Sequence, residues 1–360
     1  MSGIQVPANY QLLNQLFRVT TDAHSQTTGT KKRNVTEGSS NDVPFLDEAT
    51  PVLSLLSPQD IVGLRALNTS FQNQLNICEN TPVPAHLQAR LAIRDNENLK
   101  VFLKNNRDLG NLDNIYSSSN QRTIVLSLLE EIQKKNTESD TFKLLNDYLK
   151  GCDSLDLSHT GIDNEKLNIL SEQLPSSLQS LNLSYNELGA AGITALVQGL
   201  ADNTTLQSLN LSGNRLGAAG ITALVPFLRR STTLQSLNLS LNELGAEGIT
   251  ALVQGLADNT SLQSLDLSNN ELRAEGITAL VPFLRRNTTL QSLDLTCNRL
   301  GAEGITALVQ GLAGNRTLQS LNLCANELGA AGITALVQGL AGHTTLQSLD
   351  LGGNRLGAEG

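Results

Sequence analysis

The chain has 360 residues, 39% hydrophobic and 16% charged, enough for two domains and a sizeable core in an ordinary globular composition. Its 25 lysines and arginines face 34 acidic residues, a formal charge of -9 that works against nucleic acid and anionic membranes, both of which need a positive field. No run approaches the ~18 apolar residues of a membrane span, and residues 1–17 lack the charged-then-apolar layout of a secretory signal; a cytoplasmic, non-Sec product with no membrane or nucleic-acid partner is expected.

Residues 1–43 read as a flexible segment rich in Thr, Ser, Asn and Gly from residue 18 onward, with the short basic run Lys31-Lys32-Arg33 as a solvated loop. Residues 44–80 predict a small helical hairpin. Val52, Leu53 and Leu56 share one helical face, Ser57-Pro58-Gln59-Asp60 makes a turn and a helix start, and Ile61, Leu64, Leu67, Phe71 and Leu75 continue an apolar stripe. This segment resembles the F-box: Val52-Leu53, Leu56, Ser57-Pro58-Gln59-Asp60-Ile61, Leu64-Arg65, Phe71 and Leu75 fall on that family's pattern, while its opening Leu-Pro is Pro44-Phe45 here. The resemblance implies that Leu53, Leu56, Pro58, Ile61 and Leu64 dock the adaptor of a cullin-RING ubiquitin ligase.

Residues 81–150 predict helices, on the helix-period spacing of Leu87, Leu91, Leu99, Phe102 and Leu103, of Ile124, Val125, Leu128, Leu129 and Ile132, and of Phe142, Leu145, Tyr148 and Leu149. From 151 to 360 the chain repeats itself. Asn186, Asn214, Asn242, Asn270, Asn298, Asn326 and Asn354 each lie 28 residues after the last, and a fixed period of this length means a solenoid. Around each, the pattern LxxLxLxxN recurs, as in Leu178, Leu181, Leu183 and Asn186. Leucines alternating with polar residues predict a short strand across Leu181-Asn182-Leu183, leucines inward, and the Asn amide is suited to backbone groups left over at the buried turn, so the seven asparagines predict a structural ladder. Ile193, Leu196, Val197 and Leu200 then fall at i, i+3, i+4 and i+7, one apolar face of a helix.

This pattern resembles leucine-rich repeats of the ribonuclease-inhibitor class, which implies an α/β fold: a right-handed solenoid with a curved parallel sheet inside and helices outside, preceded here by a small all-α domain. The unit Leu155-Asp156-Leu157-Ser158-His159-Thr160 reads as a degenerate first repeat acting as a cap, with Thr160 in the ladder position, and the last repeat reads as truncated at Gly360. Two helix versions alternate, VQGLADNT at Val197 and Val253 and VPFLRR at Val225 and Val281, a 56-residue unit that points to recent duplication.

The concave sheet face is the expected binding surface. Most of it is monotonous, but one row varies: Tyr185, Gly213, Leu241, Asn269, Cys297, Ala325 and Gly353. Tyr185 and Leu241 are the candidate anchors, with Asn269, Asp266 and Asp294 beside them. The aspartates and the row Glu187, Arg215, Glu243, Glu271, Arg299, Glu327 and Arg355 either steer a charged partner or form a solvated rim.

No catalytic or metal pattern stands out. His24, His86, His159 and His343 are scattered, and Cys78, Cys152, Cys297 and Cys324 lack metal-ligand spacing; no cofactor, metal or enzymatic activity is expected. Cys297 and Cys324 fall on neighbouring strands near one face, where either two idle thiols or a regulatory disulfide fits. The resulting expectation is a protein-interaction module, most specifically a substrate receptor for a cullin-RING ligase, with a ribonuclease-inhibitor-like scaffold or inhibitor as the alternative. Closely alike repeats, a eukaryote-like F-box segment and no Sec signal also resemble host-directed effectors of intracellular bacteria.

Overall fold

The structure, a computed structural model, describes residues 118–135 and 140–355. The candidate adaptor-docking residues Leu53, Leu56, Pro58, Ile61 and Leu64 lie outside the described residues.

Two helices come first, α1 (Ser118–Lys135) and α2 (Asp140–Leu149), followed by β1 (Ser154–Asp156) and α3 (Asn164–Ser171). Six strand–helix units then succeed one another: β2 (Ser180–Asn182) and α4 (Gly189–Gly199), β3 (Ser208–Asn210) and α5 (Gly217–Arg230), β4 (Ser236–Asn238) and α6 (Gly245–Gly255), β5 (Ser264–Asp266) and α7 (Arg273–Arg286), β6 (Ser292–Asp294) and α8 (Gly301–Leu312), β7 (Ser320–Asn322) and α9 (Gly329–Leu340). Strand β8 (Ser348–Asp350) completes a single parallel sheet of eight strands in sequence order. Register is fixed by the repeat: Leu181 pairs with Leu209, Leu209 with Leu237, and so on to Leu349. Because side chains alternate across a strand, the central leucines from Leu155 to Leu321 enter the core while the flanking Ser and Asn or Asp rows line the open face; on the last strand Leu349 is exposed.

The strands stop at Asn182 and its equivalents, one residue short of the predicted Leu183, although Leu183 is fully buried. The cause is backbone chirality: the residues three and five past the strand in repeat after repeat, Tyr185 and Glu187 or Leu241 and Glu243, adopt left-handed φ between 56° and 58° and swing the chain off the sheet. At that turn the asparagines stack. Asn242 Nδ2 donates to the carbonyls of Leu211 (2.9 Å), Leu239 (3.0 Å) and Ser240 (3.0 Å), and its Oδ1 accepts from the N–H of Asn214 (3.0 Å) and Leu216 (3.3 Å). Asn186, Asn214, Asn270, Asn298, Asn326 and Asn354 repeat the donor pattern, and all seven are buried. Thr160 holds the equivalent place on the first rung, its hydroxyl donating to Leu157 O at 2.7 Å.

A second asparagine ladder runs along the other edge, where Asn203, Asn259, Asn287 and Asn315 each accept two backbone N–H bonds through Oδ1, as from Thr317 and Leu318 to Asn315. The last rung carries His343 at that position instead.

The 56-residue alternation has a packing reason. Helices α5 and α7 run 14 residues and end in Arg229-Arg230 and Arg285-Arg286. Their arginines reach neighbouring short helices: Arg230 donates to Val197 O (2.8 Å), Arg229 to Gln254 O (3.4 Å) and Arg285 to Gln310 O (3.2 Å), meeting the orphan carbonyls and negative dipole ends there. The short helix α6 ends in Gly255, where a Cβ would stand 3.1 Å from the Leu228 side chain. Long and short helices therefore fit as pairs.

At the N-terminal end α1 packs on β1 and α3, burying Ile124, Val125, Leu128 and Leu129, while α2 adds Leu144, Leu145, Tyr148 and Leu149. Gln121, 4% exposed, closes the sheet: Nε2 donates to Ser154 O at 2.8 Å and Oε1 accepts from Asp156 N–H at 3.2 Å. An amide side chain thus supplies to the edge strand what a further strand would have supplied.

Candidate functional site

The varying row lies just past the strands, and its backbone is held hard. Tyr185 N–H donates to Ser212 O (2.8 Å), Leu241 N–H to Ser268 O (3.0 Å) and Asn269 N–H to Thr296 O (2.8 Å). Each row residue also immediately precedes a buried ladder asparagine, so its side chain projects from a fixed point.

Tyr185 stacks on His159 of the preceding rung, ring centroids 4.3 Å apart and planes 12° from parallel. Its other face covers Gly213, where a Cβ would meet the ring at 2.7 Å. The ring is thus clamped between two rungs with its edge in solvent, 45% exposed. Leu241, two rungs on, is 41% exposed; with neighbouring strands ~4.8 Å apart, the two anchors stand about 10 Å from each other across the gap that Gly213 leaves. Among the described residues the other exposed large hydrophobics are Val337 and Leu349, both in the last rungs. Asn269 follows Leu241 on the next rung and is exposed.

Asp266 and Asp294 share this face but are partly engaged. Each turns Oδ1 to the N–H two residues on, Ser268 at 2.9 Å and Thr296 at 2.8 Å, and Asp294 Oδ2 also accepts from Asn322 Nδ2 at 3.0 Å. Asn182, Asn210 and Asn238 make the same turn bond, so an aspartate here is a structural cap that adds charge. On the first rung Asp156 is covered by Arg122 (2.6 Å); burial pushes its carboxyl pKa up, but hydrogen bonds from Ser158 and Arg122 outweigh this and hold it below the usual value. The open acidic groups therefore begin further along. In the outer row Glu187 pairs with Arg215 at 3.1 Å with both side chains about two-thirds exposed, a contact of little energetic weight.

Along the opposite edge of the sheet runs a groove of about 750 Å³ lined by Gln207, Gln235, Gln263, Gln291, Gln319 and Gln347, with Arg316 as its charged residue. Apart from Arg316, and Ser261 among threonines, its lining repeats from rung to rung and carries no large apolar side chain. Cys297 and Cys324, expected on strands, sit instead in the turns after β6 and β7, and neither forms a disulfide.

The leucine-rich-repeat family model matches seven stretches, residues 175–197, 202–225, 230–253, 258–281, 286–309, 314–337 and 342–360. Residues 175–360 are a leucine-rich-repeat array. Such repeats are protein–protein interaction modules, and the eight-stranded parallel sheet with alternating helices is their architecture. A leucine-rich-repeat-containing protein of known structure, LegL7 from Legionella pneumophila, is 20% identical, with a TM-score of 0.42 over 58% of this chain and 68% of that one. A search of curated proteins finds no match. No helix among the described residues is long and apolar enough to cross a membrane.

Along the strands the open face repeats Ser and then Asn or Asp, whereas the row at Tyr185 carries a different side chain on nearly every rung. His159 holds the row position on the first rung, but that rung lacks the ladder asparagine and lies 26 residues before the next rather than 28, so the period alone does not reach it.

Proposed function

We propose that this chain is a substrate receptor. The leucine-rich repeats hold a protein partner through Tyr185 and Leu241, with Asn269, Asp266 and Asp294 contributing polar contacts, and the F-box-like segment with Leu53, Leu56, Pro58, Ile61 and Leu64 docks the adaptor of a cullin-RING ubiquitin ligase. One observation carries the partner-binding half: on a face of hydroxyls and amides, two large apolar side chains stand exposed at 45% and 41% in the row that varies, and rigid aromatic or aliphatic groups of this kind dominate interface energetics. The adaptor-binding half rests on the residue pattern of 44–77.

A host-directed bacterial effector acting in a eukaryotic cytoplasm accords with that pattern. The alternative reading, a ribonuclease-inhibitor-like scaffold or inhibitor, shares the same face and needs no adaptor; it is favoured by repeats that each carry a full outer helix.

Purified full-length protein, immobilised and titrated with cullin-RING adaptor, separates the two. Saturable binding abolished by Leu53→Asp and weakened by Pro58→Ala supports the receptor; no binding at tens of micromolar refutes it and leaves the scaffold.

A further inference from the structure

Seven closely alike repeats make any departure informative, and two departures fall on adjacent rungs. Cysteine occurs at row position 297, where the other rungs carry Tyr, Gly, Leu, Asn, Ala and Gly, and at position 324, where they carry Ser, Thr or Gly. These sites belong to adjacent rungs and are bonded to each other: Cys297 N–H donates to Cys324 O at 2.9 Å. The bond length and standard backbone dimensions put the two Cα atoms roughly 5–6 Å apart, inside the ~4.4–6.8 Å that a disulfide spans, and Cys324 closes the bond by turning its side chain from Gly352 toward Cys297. Cys297 is exposed and Cys324 half-buried, its Sγ beside Gly352 of the following rung, where a Cβ would be 3.4 Å away.

We propose that Cys297 and Cys324 form a reversible dithiol–disulfide site, oxidised by exchange with a low-molecular-weight disulfide such as oxidised glutathione. Exposed Cys297, as thiolate, attacks one sulfur of the small disulfide, forming a mixed disulfide and releasing one thiol. Cys324 then loses its proton and attacks the Cys297 sulfur, closing the intramolecular bond and expelling the second thiol. Two protein thiols are oxidised by two electrons, and one small disulfide is reduced to two thiols.

The order of attack follows from the surroundings. Partial burial pushes the Cys324 thiol above its ordinary pKa, and the neighbouring Asp350, Cys297 and Asp294 push it further, so Cys324 suits the resolving step better than the first attack. The bond would tie two rungs together beside Asp294, on the same face as Leu241 and Asn269.

The test uses reduced full-length protein in glutathione redox buffers, acid-quenched, alkylated and peptide-mapped by mass spectrometry. The expected result is a Cys297–Cys324 cross-linked peptide as the main oxidised species, lighter by two hydrogens and reversed by excess dithiol. Both controls use residues that the repeats already carry there: Cys324→Ser, as at Ser184 and Ser240, should stop at a glutathione adduct on Cys297, and Cys297→Ala, as at Ala325, should give no cross-link and react about tenfold more slowly. Wild-type protein that accumulates glutathione adducts without the cross-link, or cross-links Cys78 or Cys152 instead, would overturn the proposal.

Discussion

Replacing Asn242 by alanine tests the ladder where its energetics can be worked bond by bond. The three carbonyls that Asn242 serves all keep another partner: Leu211 O has Asn214 Nδ2, Leu239 O has Asn270 Nδ2, and Ser240 O has Gly213 N–H. The N–H groups of Asn214 and Leu216 have Asn242 Oδ1 as their acceptor and would be left buried and bare. At about 1–3 kcal/mol for each orphaned group, Asn242→Ala should cost about 3–4 kcal/mol. Among the described residues Asn354, on the last rung, accepts only from Asn326 N–H (2.7 Å), so Asn354→Ala should cost roughly half as much, about 1–2 kcal/mol. Urea denaturation followed by circular dichroism gives the two values, and native-state hydrogen exchange at Asn214 and Leu216 localises the loss. An Asn242→Ala cost below about 1 kcal/mol, or one no larger than that of Asn354→Ala, would refute the idea that acceptance by Oδ1 carries the ladder.

His343 occupies the second ladder's asparagine position with both ring nitrogens buried and unpartnered, so His343→Asn should add about 1–2 kcal/mol above pH 7 by accepting the N–H groups of Thr345 and Leu346. Burial and then Arg316 push the His343 pKa below its ordinary 6.5, so the unfolded chain binds the proton more readily; wild-type stability should fall as pH drops through 6.5, and denaturation at pH 7.5 and 5.5 should show that slope reduced in His343→Asn. Arg273 adopts a φ of +54° where the five other described rungs place glycine, and Arg273→Gly should raise stability by up to about 1 kcal/mol, read as a higher melting temperature; a fall would show that its side chain does more than strain the turn. Gln121→Ala should cost about 2–4 kcal/mol and expose the Asp156 amide to hydrogen exchange before the amides of β4, whereas a uniform loss of protection would contradict its role as an edge closure.

The fold was legible because its physics is periodic. Leu178, Leu181 and Leu183 can bury together only if the short strand turns one face inward, and the recurrence of Asn186 every 28 residues carries that statement from β2 to β8. What escaped is what the period conceals. The second ladder recurs at the same spacing from Asn259 to Asn315, yet Asn in a polar loop reads as solvent-facing until its carbonyl partners are seen. Left-handed backbone at Tyr185 and Leu241 could not be read from residues that normally avoid it, and this set the strand end one residue early. Gln121 looked like one more polar residue on an amphipathic helix, because nothing local says that a strand edge waits beneath it. Of the candidate site, the open face and its varying row were readable from the spacing; the stacking of Tyr185 on His159, and the structural engagement of Asp266 and Asp294, depended on neighbours in the next repeat.

The most direct test of the central claim is photo-crosslinking in a eukaryotic cytosolic extract, with benzoylphenylalanine placed at position 241 on the row or at position 250 on the outer helix α6. If Tyr185 and Leu241 hold a protein partner, a discrete cross-linked species should form from position 241, be absent from position 250, and be lost when Tyr185→Ala is added. Equal cross-linking from both positions, or a species indifferent to Tyr185→Ala, would contradict the account.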